Sequence, residues 1–128
     1  MKFPQPCSAI PDGMADNMGL KLRTDRSGDT CVVVLDGDVD VTTAPSLKKE
    51  LVSLIDGGCV NVIVDAEKVG FMDSSGLGVL IGALRRVNEK HGVIRIVGTQ
   101  HDVLKLFRIT GLDKVFPLFS DLGEAVRF

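Results

Sequence analysis

The stretch 71-FMDSSGLGVLIGALRRV-87 contains an acid and two serines, and an apolar stripe at helical spacing follows them. The stripe predicts a helix from Ser74 to His91 that ends at Gly92. Its members are Leu77, Leu80, Ile81, Leu84 and Val87. The residues before Asp73 read as an extended segment, so the helix follows an extended chain. Helices that alternate with strands are the building blocks of α/β proteins.

The segments on either side continue the alternation of strands and helices. Apolar runs with turn residues between them predict a hairpin over 20–37, a central strand over 60–65 and a strand over 93–98. Helical spacing predicts helices over 42–58 and 101–110. A short strand around Val115–Phe116 and a last helix over 120–128, capped by Ser120, complete the expected domain. Alternation of this kind favours a mixed or parallel sheet with crossover helices.

The helix predicted over 42–58 has clear end signals. Thr42 or Thr43 can cap its start, and Pro45 lies in its first turn. Gly57 and Gly58 end it.

Size and charge narrow the classes of protein that fit. The 128 residues are enough for one domain with a real core, and the net charge of −2 argues against nucleic acid as the main partner. No apolar run approaches the ~20 residues of a membrane span, and no signal peptide is recognisable at the N-terminus. Residues 1–17 hold three prolines without periodicity, so we expect a poorly ordered or surface-draped arm and a domain that begins at Met18.

Three cysteines, Cys7, Cys31 and Cys59, are widely spaced and lack a CxxC pair. An odd number in this pattern indicates a reducing cytoplasm rather than a disulfide framework. Cys31 and Cys59 flank apolar strands, so we interpret them as small buried hydrophobes. The two histidines show no ligand spacing with the cysteines, and we expect no metal.

The glycines in the helix that follows Asp73 are unusual. Each costs about 0.8–1 kcal/mol relative to alanine in a helix interior. Tight packing on the sheet is an even alternative for Gly82. For Gly76 and Gly78 we favour a bare backbone that leaves room for another molecule at the start of the helix.

The start of a helix attracts anions, because unpaired N–H groups and the positive end of the dipole lie there. One candidate anion is a nucleotide phosphate, but the chain has no Gly-Lys-Ser/Thr loop and no acid after 96-IVGTQ-100 to hold a ribose. The other is a phosphate attached to Ser74. Plain capping of the helix by Asp73, Ser74 or Ser75 is the simpler alternative. A serine hydrolase is excluded, since the Gly-x-Ser-x-Gly pattern is missing.

The acidic segment 36-DGDVD-40 precedes the first predicted helix. Its alternating acids imitate a calcium loop, but Val41 and Leu47 stand where glycine and glutamate are needed, so calcium is rejected. Two interpretations stay open. The acids form either a turn and cap cluster or a carboxylate surface at the same end of the sheet as Ser74.

Three segments together resemble bacterial anti-sigma factor antagonists, which are single-domain STAS proteins. They are 35-LDGDVDVTTAP-45, 71-FMDSSGLGVLIGALRRV-87 and 106-LFRITGLDKVFPLF-119. The likeness runs from about Leu20 to Val126, so residues 18–128 are expected to form the STAS domain. The resemblance implies an α/β STAS fold, with a mixed β-sheet of about five strands and about four helices packed mainly on one face.

The resemblance also implies a function in regulation and not catalysis. In this family the unphosphorylated antagonist binds an anti-sigma factor that is also its serine kinase, and so frees a sigma factor. Phosphorylation on the first serine of the motif, here Ser74, breaks the complex, and a PP2C-type phosphatase restores it. The implied partner-binding residues are Asp38, Asp40, Asp73, Ser74, Ser75, Gly76 and Gly78.

The resemblance further implies a cytoplasmic protein without cofactor or metal, and it leaves a weak homodimer open. Two alternatives remain at this stage. One is a phosphorylatable STAS component of a larger sensory scaffold. The other is a STAS module that binds a nucleotide or small ligand at Gly76, Gly78 and the start of the helix.

Overall fold

The computed structural model describes residues 19–98, 101–119 and 122–127. The arm predicted over 1–17, the domain start at Met18 and the cap at Ser120 lie outside these ranges. Within them, none of the helices combines the length and apolar character that a membrane span requires.

The described residues form a five-stranded sheet and four α-helices. The strands are β1 (Leu20–Ser27), β2 (Thr30–Val39), β3 (Asn61–Met72), β4 (Val93–Val97) and β5 (Leu118–Phe119). The helices are α1 (Ala44–Asp56), α2 (Ser74–Asn88), α3 (His101–Thr110) and α4 (Leu122–Arg127), with a 3-10 turn at Leu112–Lys114.

The sheet is mixed and its strands follow chain order, β1-β2-β3-β4-β5. β1 and β2 form the predicted antiparallel hairpin, and the remaining neighbours are parallel. A helix follows β2 and another follows β3. Because parallel strands end at one edge of a sheet, the N-termini of α1 and α2 begin side by side at that edge.

Three helices cover one face of the sheet and the fourth covers the other, which confirms the predicted arrangement. The main core joins β2, β3 and β4 to α1, α2 and α3. A smaller cluster on the opposite face joins Ile63 and Val97 of the sheet to Ala125 of α4. In α1, helical spacing predicts a stripe of Leu47, Leu51, Leu54 and Ile55; Leu47, Leu51 and Ile55 are fully buried, and Leu54 is half-buried against the core.

Two predicted strands differ from the structure. The prediction of a strand around Val115–Phe116 was wrong. Phe116 is buried in the core, and its ring centroid lies 6.1 Å from that of Phe107. Pairing with β4 begins only at Leu118. The central strand was too short, since β3 continues through polar residues to Met72 while its backbone still pairs with β2.

The predicted end of α2 also differs. The helix ends at Asn88 rather than at His91, which adopts a left-handed φ of 62°. The N–H of Gly92 still donates to the carbonyl of Val87 at 2.8 Å and closes the turn. A non-glycine residue therefore makes the reversal that the sequence assigned to Gly92.

Cys31 and Cys59 are both fully buried, as expected, but they are joined in a disulfide. The interpretation of these residues as unpaired was wrong. Cys31 lies at the start of β2, and Cys59 lies in the loop that leads into the neighbouring strand β3. Parallel pairing of the two strands brings their Cα atoms to 6.2 Å, which a disulfide can bridge.

Reduction of this disulfide should lower the thermal stability. The bond closes a loop across a sequence separation of 28, and a crosslink of that span contributes about 3–4 kcal/mol by restricting the unfolded chain. We expect the Tm of the oxidised protein to fall by about 10 °C or more on addition of a phosphine reductant, measured by calorimetry. The control is the variant Cys31→Ala/Cys59→Ala, whose Tm should not change when the reductant is added. An unchanged Tm in the wild type would contradict the crosslink.

Candidate functional site

The carboxyl ends of β2 and β3 bring the two acidic segments of the chain together. Val39 pairs with Met72, and the N–H of Asp73 donates to the carbonyl of Val39 at 3.2 Å. Asp40 and Ser74 therefore each lie just beyond the end of one of two neighbouring strands. Asp38 and Asp40 lie at the same end of the sheet as Ser74, as one sequence interpretation expected, and Asp40 also forms the turn that the other interpretation expected.

Asp73 caps α2 and leaves the hydroxyl of Ser74 unused. The Asp73 carboxylate accepts hydrogen bonds from the N–H groups of Ser75 at 2.8 Å and Gly76 at 3.4 Å. Ser74 is exposed, whereas Ser75 is half-buried. The Ser74 hydroxyl makes no hydrogen bond with another residue in the described part of the chain. Capping of α2 therefore accounts for Asp73, but it does not involve the exposed Ser74 side chain.

Asp40 organises the turn between β2 and α1. One of its carboxylate oxygens accepts from the hydroxyl of Thr42 at 2.7 Å and from the backbone N–H groups of Thr42 at 2.9 Å and Thr43 at 3.2 Å. The Thr42 hydroxyl is the main reason that the pKa of Asp40 lies below its ordinary value of 3.8. The carboxylate is therefore ionised throughout the physiological range.

Thr43 stands at the capping position of α1 but does not cap it with its side chain. Its hydroxyl accepts from the N–H of Asp40 and donates to the carbonyl of Asp38, both at 2.9 Å. The predicted threonine cap was therefore right in position and wrong in its bonding. The buried hydroxyl instead fixes the backbone that carries Asp38 and Asp40.

Gly37 allows the acidic strand end to bend. Its φ is +129°, and a Cβ atom there would collide with the carbonyl oxygen of Gly19. The pairing of β2 with β3 shifts register on both sides of this position, between Val34 and Asp36 and between Gly37 and Asp38. Such irregularities re-aim side chains at the ends of strands. Here Asp36 and Asp38 both point to solvent.

The three glycines of α2 have different environments. Gly76 is buried, and a Cβ there would lie 2.6 Å from Val39 Cγ1 and 2.9 Å from Met72 Cγ. Its interpretation as open surface was wrong, because it lets the helix pack directly on the strand ends. Gly78 and Gly82 are exposed, and a Cβ at either would meet nothing within 4 Å. The packing alternative for Gly82 was therefore also wrong.

Two exposed apolar residues beside the acids were missed by the sequence reasoning. Val41 is 68% exposed and Phe71 is 49% exposed. Phe71 pairs with Asp38 in the sheet, and Val41 follows Asp40. In the sequence, Val41 and Phe71 look like ordinary core residues. Only their exposure in the folded structure distinguishes them from the core.

We call this region the strand-end surface and define it by exposed or half-buried residues at the ends of β2 and β3. Its members are Asp38, Asp40, Val41, Phe71, Asp73, Ser74, Ser75 and Gly78. It combines carboxylates, a free hydroxyl and two apolar side chains. Among the described residues, no cluster of three or more His, Cys, Asp or Glu is arranged to hold a metal ion.

Gly76 and Gly78 should respond in opposite ways to alanine. Gly76→Ala forces a methyl group against the stiff, buried Val39, and the overpacking outweighs the gain in helix propensity, so we expect a net loss of about 1–2 kcal/mol. Gly78→Ala adds its methyl group in open space and should gain up to about 1 kcal/mol. Urea unfolding of the two matched variants measures the difference. Equal stabilities would contradict the buried position of Gly76.

Loss of the Thr42 hydroxyl should raise the pKa of Asp40. Because the folded pKa lies below 3.8, ionised Asp40 favours folding above that pH, and the contribution is lost as pH falls through the folded pKa. We expect Thr42→Val to move the pKa toward 3.8, measured by NMR titration of the carboxyl carbon. Thr42→Ser, which keeps the hydroxyl, is the control. An unmoved pKa in Thr42→Val would remove the assigned cause.

Comparison with known proteins places this geometry in a family. The model of the STAS domain matches residues 21–125. The chain is 34% identical over 95 residues to the anti-sigma-B factor antagonist of Staphylococcus aureus (strain NCTC 8325 / PS 47), covering 74% of this chain and 88% of that protein.

Solved structures agree with the fold. An anti-sigma factor antagonist from Mycobacterium paratuberculosis superposes with a TM-score of 0.78 at 24% identity, covering 94% of this chain and 97% of that one. The anti-sigma factor antagonist SpoIIAA in its unphosphorylated form gives a TM-score of 0.74 at 25% identity, covering 84% and 92%. The Bacillus cell fate determinant SpoIIAA in the phosphorylated form gives a TM-score of 0.68 at 23% identity, covering 84% of this chain and 96% of that one. With the strand order and the residues matched, the chain belongs to the STAS domain family.

Proposed function

We propose that this protein is an anti-sigma factor antagonist controlled by phosphorylation of Ser74. In its unphosphorylated form it binds an anti-sigma factor with serine kinase activity and so frees a sigma factor. The proposal is carried by one observation: Ser74 is exposed, makes no hydrogen bond through its hydroxyl to another described residue, and lies among the acids of the strand-end surface. The name of the staphylococcal relative and the two forms of SpoIIAA support it.

The strand-end surface has the composition of a protein-binding site. Val41 and Phe71 offer apolar area that solvent would otherwise cover, and such residues act as anchors when a partner excludes water. Asp38 and Asp40 flank them and suit basic groups on the partner. We place Ser75 and Gly78 at the margin of the contact. Gly76 lies beneath it and supports the surface without touching the partner.

Phosphorylation of Ser74 would reverse the character of this surface. The phosphate adds about −1.5 to −2 charges at pH 7. A carboxylate ~5 Å away, at an effective dielectric of ~20, would repel each unit of that charge by about 3 kcal/mol. Half of this is already enough to weaken binding about tenfold.

The start of α2 does little to offset the repulsion. A helix dipole favours an anion in its first turn by about 0.3–1 kcal/mol at a surface. Here the N–H groups of Ser75 and Gly76 already bind the Asp73 carboxylate. A phosphate on Ser74 would therefore meet a neighbouring anion instead of free donors. The same occupancy weighs against the nucleotide alternative, in which these N–H groups would hold the ligand.

The remaining parts of the proposal follow from the switch. A PP2C-type phosphatase would remove the phosphate and restore binding. The protein would act as kinase substrate and binding partner, without catalysis or cofactor of its own. A sigma factor works in the cytoplasm, so we place the protein there.

The identity of the phosphorylated residue and its effect on binding test the proposal. We expect incubation with a purified kinase-type anti-sigma factor and ATP to place the phosphate on Ser74, as located by mass spectrometry. Ser74→Ala should bind the anti-sigma factor and resist phosphorylation. Ser74→Asp should bind at least tenfold more weakly, measured by calorimetric titration.

The neighbouring serine supplies the control. Ser75→Ala should remain a substrate, since Ser75 is half-buried and Ser74 is left intact. A phosphate found only elsewhere would refute the site. Wild-type affinity in Ser74→Asp would refute the charge mechanism.

A further inference from the structure

A groove of about 310 Å³ runs between α1 and α2. Apolar side chains of both helices line it, and two exposed cations, Lys48 and Arg86, border it. The apolar lining consists of Leu51, Val52, Val79 and Ala83. The groove adjoins the strand-end surface at Gly78, and the function proposed above uses none of its other lining residues.

Gly78 and Gly82 keep the groove open. Both lie one helical turn apart on the side of α2 that faces the groove. Neither is required by the packing, because a side chain at either position would enter open space. Glycine is a poor helix former, so two glycines at these places leave a slot that the fold itself does not fill.

The register of the two helices aligns the groove with Ser74. Arg86 contacts Asp56 at 3.3 Å, which sets residues 30 apart side by side. Two turns nearer the N-terminus of each helix, Lys48 of α1 lies level with Gly78 of α2. Ser74 lies one further turn along, ~6 Å from Gly78 in the axial direction. A partner that contacts Ser74 would meet the groove directly below it.

The charge at the groove is opposite to that at the strand-end surface. Arg86 is paired with Asp56, whereas Lys48 makes no ion pair with any residue in the described ranges. The exposed Arg85 adds positive charge beside Arg86. An occupant with an apolar side chain and a carboxylate would match the slot and its free cation.

We infer that this groove is a second docking site for the same partner, and that it receives an acidic amphipathic helix of the anti-sigma factor. The distance from Ser74 to Arg86 is 12 residues, ~18 Å, which corresponds to about three turns of helix. One apolar side chain of the incoming helix would enter the slot at Gly78 and Gly82, and an acid would face Lys48. This inference rests on the proposed function and extends its binding surface.

Filling the slot tests the inference without changing Ser74. The probe is the anti-sigma factor that binds Ser74→Ala in the experiment above. We expect Gly82→Leu to weaken its affinity at least tenfold, while the fold is kept because leucine is a better helix former than glycine. Asn88→Leu places the same side chain at an exposed position of α2 outside the groove and should stay within about twofold of wild type. Circular dichroism and Tm confirm that both variants are folded.

Reversing the free charge provides an independent test. Lys48→Glu should weaken binding at least tenfold at low salt, and the effect should shrink as salt is raised. Lys49→Glu changes the net charge equally at the adjacent exposed position, which does not line the groove, and should stay within about threefold of wild type.

The outcomes separate this inference from the function on which it rests. If Gly82→Leu and Lys48→Glu both bind like their controls while Ser74→Asp binds weakly, the groove is not a docking site and the switch stands. If Ser74→Asp also binds like wild type, the proposed function fails with it. A wild-type dimer in light scattering that Gly82→Leu dissociates would place a second copy of the chain in the groove and overturn the inference.

Discussion

Between β2 and β3 the parallel register pairs Val39 with Met72, and the N–H of Asp73 extends the ladder by one bond to the Val39 carbonyl. This register is specified by burial, because a slip of one residue would turn the alternating core residues of β2 away from the main core. Everything at the strand-end surface depends on it. The acids of one segment and the serine of another, more than thirty residues apart in sequence, become neighbours only through this pairing.

The glycines of α2 serve two different purposes, close packing on the sheet and an open outer surface. Gly76 brings the first turn of the helix against Val39 and Met72, so the position of Ser74 is set by contact with the core. Gly78 and Gly82 do nothing for the core and leave the outer side of the helix bare. The motif is thus glycine-rich for opposite reasons at adjacent turns. The inner side of α2 is packed on the strand ends and its outer side carries no side chain at Gly78 and Gly82, so another protein could approach the helix closely.

Much of the fold could be predicted from the sequence, because the spacing of apolar residues and the positions of turn residues indicate most of the strands and helices. The hairpin, α1 and β4 follow from local patterns. The errors arose where tertiary contacts decide. Phe116 reads as a strand residue but packs on Phe107, and the Cys31–Cys59 pair depends on strand register. At the site, the motif marked Ser74 and the acids, whereas Val41 and Phe71 carried no local signal because exposure is a property of the whole fold.

The same arrangement indicates how a modification could act without refolding the protein. Ser74 is exposed and its hydroxyl bonds to no other described residue, so a phosphate there would break no internal contact. The groups beneath it, Gly76 and Val39, are uncharged and packed in the core. The disulfide lies at the amino ends of β2 and β3, far along the strands from the site. A change of charge at this edge of the domain would therefore alter the binding surface and leave the scaffold that presents it unchanged.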